Sequence, residues 1–291
     1  MKRNPQALLT FQENAVVLVC GVGLMGQHAA QYLLNGMNIS KLVLVDANET
    51  IKVSGKDLAL QSFADGLDNP DGAEIVTYVA DVTDETTIAA LFKEHQGFDY
   101  LIVTTGISPM PLTPPTELNH EFASKLLDVN TWGPVNVVDS AVREGALKSS
   151  AKAVIMLSTA ANNGAEGRAN VWYEASKAAL KGWLEKQAWH YASAHGLVLN
   201  GISPNPLVGP MASGNPVSRR RVAAVERNTP MGLCVPLNIS ASIAFFLAKE
   251  CNCCGQDLVV DGGYCGSHAI YGDLPVEGSA VEDILAGDRD K

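Results

Sequence analysis

Short runs of consecutive apolar residues alternate with longer stretches in which apolar side chains recur every three or four positions, from near the start of the chain to about residue 260. The runs at 15–19, 41–45, 74–79, 100–104, 153–157, 197–202 and 257–260 are rich in Val, Ile and Leu, as strands covered on both faces are. The amphipathic stretches at 24–34, 85–95, 117–144, 172–195 and 237–249 predict helices. Strand and helix in turn predict an α/β fold, a doubly wound parallel (Rossmann) sheet of about seven strands with helices on both faces. One domain spanning 1–291 is expected. Two segments break the alternation. Residues 204–229 are rich in Pro, Gly and Ser and follow a strand, where a substrate lid would sit, and residues 266–291 read as an interface arm or a partly disordered tail.

Composition narrows the classes of partner. With 47% apolar and 18% charged residues the chain has a globular profile. A formal charge of −10 disfavours nucleic acid and anionic membranes, and the run Arg219, Arg220, Arg221 reads as a solvated helix face. No apolar stretch has the length of a membrane span, and the first residues carry no apolar signal core, so a cytoplasmic protein is expected. The six cysteines are then reduced thiols. Cys251, Cys253 and Cys254 lack a second pair at zinc spacing, so no metal is expected.

Candidate chemistry begins at Gly21, Gly23 and Gly26, a G-x-G-x-x-G turn between the first strand and the first helix, with Leu24 and Met25 opening that helix. Glycine there permits a tight turn and lets a pyrophosphate approach the helix N-terminus. Asp46 closes the second strand 20 residues after Gly26, where a carboxylate can accept from adenosine ribose hydroxyls. The same charge would repel a 2′-phosphate, so NAD(H) is expected over NADP(H). An Asp ending a strand can also simply cap a turn.

Tyr173 and Lys177 stand four residues apart near the start of a predicted helix, which places both on one face about a turn apart. A tyrosine titrates near pH 10, so acid/base work near neutrality needs an adjacent positive charge, which Lys177 would provide. The same spacing also occurs in ordinary helices, where the lysine reaches to solvent.

Together with Asp81-Val82 after the third strand, Thr104-Thr105-Gly106-Ile107, Asn130 in Asp-Val-Asn-Thr-Trp-Gly, Leu157-Ser158-Thr159 and the closing Gly-Gln-Asp-Leu-Val-Val-Asp-Gly-Gly, the chain resembles the one-domain branch of the short-chain dehydrogenase/reductase family over about residues 12–265. The resemblance implies an oxidoreductase that moves a hydride between NAD(H) and a secondary alcohol or ketone. In it Tyr173 is the acid/base, Thr159 hydrogen-bonds the substrate oxygen, Lys177 binds the nicotinamide ribose, and Asn130 holds a water linking Lys177 to solvent. Asp81, Val82, Thr105, Gly106, Leu207 and Val208 would complete the cofactor site. Residues 107–110 with Asn162, Asn163, Trp172, Pro206 and Met211 are expected to wall the substrate pocket, a mixture of apolar and amide groups. A homodimer or homotetramer packed through 117–144 and 172–195 is implied as well.

The chain departs from the family pattern at several places. The glycine turn is one residue short and opens on Cys20. Thr159 lies 14 residues before Tyr173, which makes Ser158 a competitor for its role. Asn205 replaces the glycine of a Pro-Gly pair, and asparagine tolerates the left-handed backbone best after glycine. The rival functional reading is a regulator or scaffold of the same fold with little turnover.

Overall fold

The computed structural model describes residues 9–108, 120–162, 171–207, 222–223, 225–227 and 229–265. Strand β1 (Ala15–Cys20) is AVVLVC and almost wholly buried, the signature of a strand with both faces covered. It is followed by α1 (Leu24–Gly36), β2 (Ile39–Asp46), a hairpin of β3 (Thr50–Val53) and β4 (Lys56–Ala59), and the short α2 (Leu60–Asp65). Next come β5 (Glu74–Val79), α3 (Glu85–Glu94), β6 (Phe98–Val103), α4 (His120–Leu127), α5 (Gly133–Arg143) and β7 (Leu147–Met156). The chain then forms α6 (Val171–His195), β8 (Val198–Pro204), α7 (Pro236–Leu247) and β9 (Asp257–Val260). Local chemistry sets several boundaries. Asp84 caps α3 by accepting from the amides of Thr86 and Thr87, and Asn238 accepts from Val235 N at 2.9 Å where α7 begins.

Seven strands form one parallel sheet in the order β5-β2-β1-β6-β7-β8-β9. The chain therefore works outward from β1 to β5, then returns to β6 on the other side of β1. Where the direction reverses, the connections leave the sheet on opposite faces and open a crevice at the carboxyl ends of β1 and β6. Register brings the key residues to that rim: Cys20 lies opposite both Val45 and Val103, so Gly21, Asp46 and Thr104 emerge side by side.

Strand pleating divides the core in two. Val17 and Val19 point to a cluster with Leu33 of α1 and Ile239 and Ile243 of α7. Leu18 and Cys20 point the other way, to Ile88, Val138, Leu180 and Leu184 of α3, α5 and α6. Leu33 and Leu184 are both fully buried, and truncating either to Ala would cost about 2–5 kcal/mol.

The doubly wound sheet agrees with the sequence reading, with two differences. The helix expected over 117–144 is, from His120 onward, two helices joined by a π-helical turn, Asp128–Trp132. The hairpin of β3 and β4 was not expected; it turns at Ser54 and Gly55, with φ of 48° and 80°, the left-handed pair a tight hairpin requires. Most of the lid region 204–229 and all of the tail 266–291 lie outside the described residues.

Candidate active site

The glycine turn occupies the end of β1. Gly21 has φ +93°, and a Cβ there would lie 2.7 Å from Thr105 N, so only glycine fits. A Cβ on Gly26 would fall on the Gly21 carbonyl oxygen and within 3.0 Å of Thr104 Oγ1. Thr104 donates to Gly21 O at 2.6 Å and Thr105 to Cys20 O at 3.3 Å, which fastens the end of β6 to the turn. Gly23 is the N-cap of α1 and offers no side chain, and Gly23, Leu24 and Met25 are not fully buried. The opening amides of α1 have no intrahelical acceptor. They face the rim as an anion cradle, which fits the pyrophosphate of a dinucleotide. Cys20 is not a nucleophile here, since burial pushes its thiol up to about 12.

Asp46 stands beside this cradle. Its Oδ2 accepts from Val22 N at 2.8 Å, and its Oδ1 accepts from Asn48 N at 3.0 Å and Asn48 Nδ2 at 3.1 Å. The carboxylate thus caps the glycine turn and its own turn together. A carboxylate offers about four acceptor positions, so these three bonds leave room for a further donor. At the far end, Asp81 Oδ1 accepts from Thr83 N at 2.9 Å and Thr83 Oγ1 at 2.8 Å, an Asx turn. Val82 is buried against Gly133, and its carbonyl accepts from Asn136 Nδ2 at 2.8 Å.

Four elements converge on Lys177. The side chain is 3% exposed and its Nζ donates to the Met156 carbonyl, at the end of β7, at 2.9 Å. A Cβ on Gly106 would lie 3.2 Å from that Nζ and 3.3 Å from Asn130 Oδ1, so the bare backbone after β6 passes directly over both. Asn130, in the π turn, accepts from Ile107 N at 2.7 Å and donates to Ile107 O at 2.9 Å and to Ser176 Oγ at 3.1 Å. Ser176 in turn donates to the Tyr173 carbonyl at 2.7 Å. Burial lowers the Lys177 pKa from its ordinary value to about 8, and among the described residues no carboxylate contributes to that shift. Retaining a buried ammonium without a counter-charge is the mark of a functional group.

Tyr173 sits one helical turn before Lys177 on α6 and is half-buried. Thr159 is 1% exposed, and its hydroxyl donates to Pro204 O at 3.2 Å, linking the end of β7 to the end of β8. The neighbouring Ser158 hydroxyl accepts instead from Ala160 N and caps the 3-10 turn Thr159–Ala161.

One expectation needs correction, on Asn205, and others gain detail. Both amide N–H groups of Asn130 are engaged by Ile107 and Ser176, so its side chain clamps the backbone after β6, and a relay water would have to be held by its backbone carbonyl. Asn205 is absent from the described residues with left-handed backbone. It stands in the glycine's place for its amide, which donates to Asp261 O at 2.9 Å and accepts from Cys234 N at 3.0 Å. Asn162 donates to Asp257 Oδ2 at 3.2 Å, while Lys181 donates to its Oδ1. Leu207 packs its side chain against the cluster beneath α1, and Val208 lies outside the described residues. Ser176, Thr131, Gln27 and the Met156 carbonyl were missed. For Ser176 the signal was its place beside Lys177; for the rest only the tertiary fold shows it.

A family model described as enoyl-(acyl carrier protein) reductase matches residues 40–265. The chain belongs to the short-chain dehydrogenase/reductase family and is an oxidoreductase of that family. Comparison with curated proteins finds no match. Among solved structures, a putative short-chain alcohol dehydrogenase from Sinorhizobium meliloti 1021 is similar at 20% identity and TM-score 0.75, over 88% of this chain and 98% of that one. The 3-oxoacyl-[acyl-carrier protein] reductase from Brucella melitensis in complex with NAD is similar at 20% identity and TM-score 0.73, over 87% and 98%. The Bacillus cereus enoyl-acyl carrier protein reductase with NADP+ is similar at 16% identity and TM-score 0.74, over 87% and 97%. At these identities the likeness is one of fold. Among the described residues, no helix is long and apolar enough to cross a membrane.

Proposed function

We propose that this protein interconverts a secondary alcohol and a ketone with NAD(H), using Tyr173 as the acid/base. The observation that carries the reading is the buried Lys177 beneath Gly106, with no carboxylate partner among the described residues and one helical turn from Tyr173. Nicotinamide dinucleotide, when bound, supplies or accepts the hydride at the substrate carbon. The chain's own residues manage the oxygen and its proton. In the oxidative direction the Tyr173 phenolate takes the hydroxyl proton; in reduction the Tyr173 phenol returns a proton to the carbonyl oxygen. Thr159 hydrogen-bonds the same oxygen once its hydroxyl turns from Pro204 O. Lys177 uses one N–H on Met156 O and has two more for ribose hydroxyls, and its charge favours the phenolate. Asn130 sets the height of the Gly106–Ile107 backbone above both groups.

NAD(H) is favoured over NADP(H) because the Asp46 carboxylate stands at the ribose end. The substrate is a small or medium-sized, partly apolar hydroxy or keto compound. We also propose a homodimer or homotetramer packed through the α4–α5 and α6 helices, which leave Trp132 at 55% and Trp189 at 76% exposure.

Parallel titration with NADH and NADPH, followed by an alcohol and ketone screen, tests the reading. NADH should bind at least about tenfold more tightly than NADPH, a gap of about 1.4 kcal/mol. Tyr173→Phe should retain NADH binding and lose about 100-fold or more in kcat. Full turnover by Tyr173→Phe overturns the mechanism. NADH oxidation with an enoyl thioester but with no ketone overturns the substrate class.

A further inference from the structure

The hairpin that follows Asp46 is attached to the glycine turn by one side chain. Gln27 is 9% exposed, in the first turn of α1. Its amide has two N–H groups, and both are used: Nε2 donates to Val22 O at 2.9 Å and to Lys52 O at 2.8 Å. One acceptor lies inside the glycine turn and the other on β3, so a single amide joins two segments far apart in sequence. The same Val22 is held from the other side, where its N–H meets Asp46 Oδ2 at 2.8 Å. Gly21 N donates to Val45 O at 2.7 Å just before it. The turn is therefore gripped at consecutive backbone groups by residues of β2 and α1, and Gln27 ties it to the hairpin.

The hairpin has little else to fix it. Ile51 is 6% exposed and joins the cluster under α1 and α2, the partly buried Val53 packs against the same cluster, and Leu60 N donates to Glu49 O at 2.8 Å at its base. All four residues of β4 are exposed. The Lys52–Asp57 ion pair has both side chains more than half exposed and adds little. Removing the Gln27 amide would leave two carbonyls without a donor and free the hairpin to swing on Ile51. It would also release the turn whose geometry presents the α1 amides.

We infer that Gln27 and the β3–β4 hairpin form a strap that sets the shape of the shortened glycine turn, so that dinucleotide affinity depends on a residue that does not touch the dinucleotide. Gln27 is thus a positioning residue, and the inference rests on the reading that the turn binds a dinucleotide.

Gln27→Met, close in volume but without donors, tests it. In the cofactor-free protein, amide hydrogen exchange should rise across residues 21–26 and 50–59. In the loaded enzyme, Kd and KM for NADH should rise about tenfold while kcat at saturation falls less than about threefold. Replacing residues 50–59 with a Gly-Ser linker, Gln27 intact, should raise Kd similarly, and it decides the matter if Gln27→Met does not fold. An NADH Kd within twofold of wild type in the folded variant, with unchanged exchange at 21–26, overturns the strap. If the wild type binds neither NADH nor NADPH, the dinucleotide reading fails instead, and the exchange measurement alone judges whether the strap exists.

Discussion

Asn130 holds Ile107 by both of its backbone polar groups, accepting from the N–H at 2.7 Å and donating to the C=O at 2.9 Å. The pair is what a strand neighbour would make, but here a helix side chain supplies it, at the point where β6 has run out of partners. Asn130→Ala should therefore lower stability by about 1–3 kcal/mol through two unsatisfied backbone groups. It should also lower kcat, because Gly106 no longer rests at a fixed height over Lys177. Denaturant unfolding and turnover assays on one preparation check both.

Lys177 places a stability penalty in the folded protein, with a defined pH window. Its pKa falls from 10.5 to about 8 on folding, so between those values the unfolded chain binds more protons than the folded one, and stability rises with pH. The penalty is complete below about pH 8 and gone above about pH 10.5. Lys177→Met should be more stable than wild type at pH 7, by up to about 3 kcal/mol, and the advantage should shrink as pH rises through that window. Turnover should be lost at every pH. Urea melts of both proteins at pH 7 and pH 9.5 provide the comparison.

Ser158 and Thr159 are adjacent hydroxyls with separable roles. Ser158→Ala removes the cap on Ala160 N and should cost about 1 kcal/mol of stability with little change in kcat. Thr159→Val keeps the shape and removes the hydroxyl, and should lower kcat by about 100-fold or more. Steady-state kinetics with thermal melts distinguish them, and the reverse pattern would assign the substrate contact to Ser158.

Asn205 joins the ends of β8 and β9 to the segment before α7. Besides its side-chain bonds, its N–H donates to Val260 O at 3.2 Å. Asn205→Gly, which restores the family's usual residue, should destabilise the protein by about 1–3 kcal/mol rather than help it, since the Cys234 amide and Asp261 carbonyl lose their partner. The change in unfolding midpoint measures this.

The strands were legible because the central ones are buried runs of branched residues and the partly buried edge strands β5 and β9 keep the same apolar content, and the glycine turn and the Tyr173–Lys177 pair because their spacing maps directly onto a tight turn and a helix face. The hairpin was not legible. TIKV and KDLA are short, mixed in polarity and mostly exposed, and only Ser54-Gly55 hinted at a turn. Asn205 was read for its backbone tolerance when its amide was the point. No local pattern announces that a side chain will meet a carbonyl contributed by a distant strand. The same holds for Gln27, a polar residue one turn into an apolar helix, whose second acceptor, Lys52 O, comes within reach only once β3 folds back.

The π turn at Asp128–Trp132 sets the rotational phase of the helices on either side of it. Each residue advances an α-helix by about 100°, so the extra residue there decides which side chains of α5 point inward relative to α4. Ala123 and Leu126 lie buried before the turn, and Val135, Val138 and Ala141 after it. A one-codon deletion within 128–132 would regularise the hydrogen bonding of this helix, yet turn one of those two stripes out of the core and pull Asn130 away from Ile107. Length in this short window is thus under tighter constraint than composition, and a deletion scan would report the turn where a substitution scan would see ordinary helix.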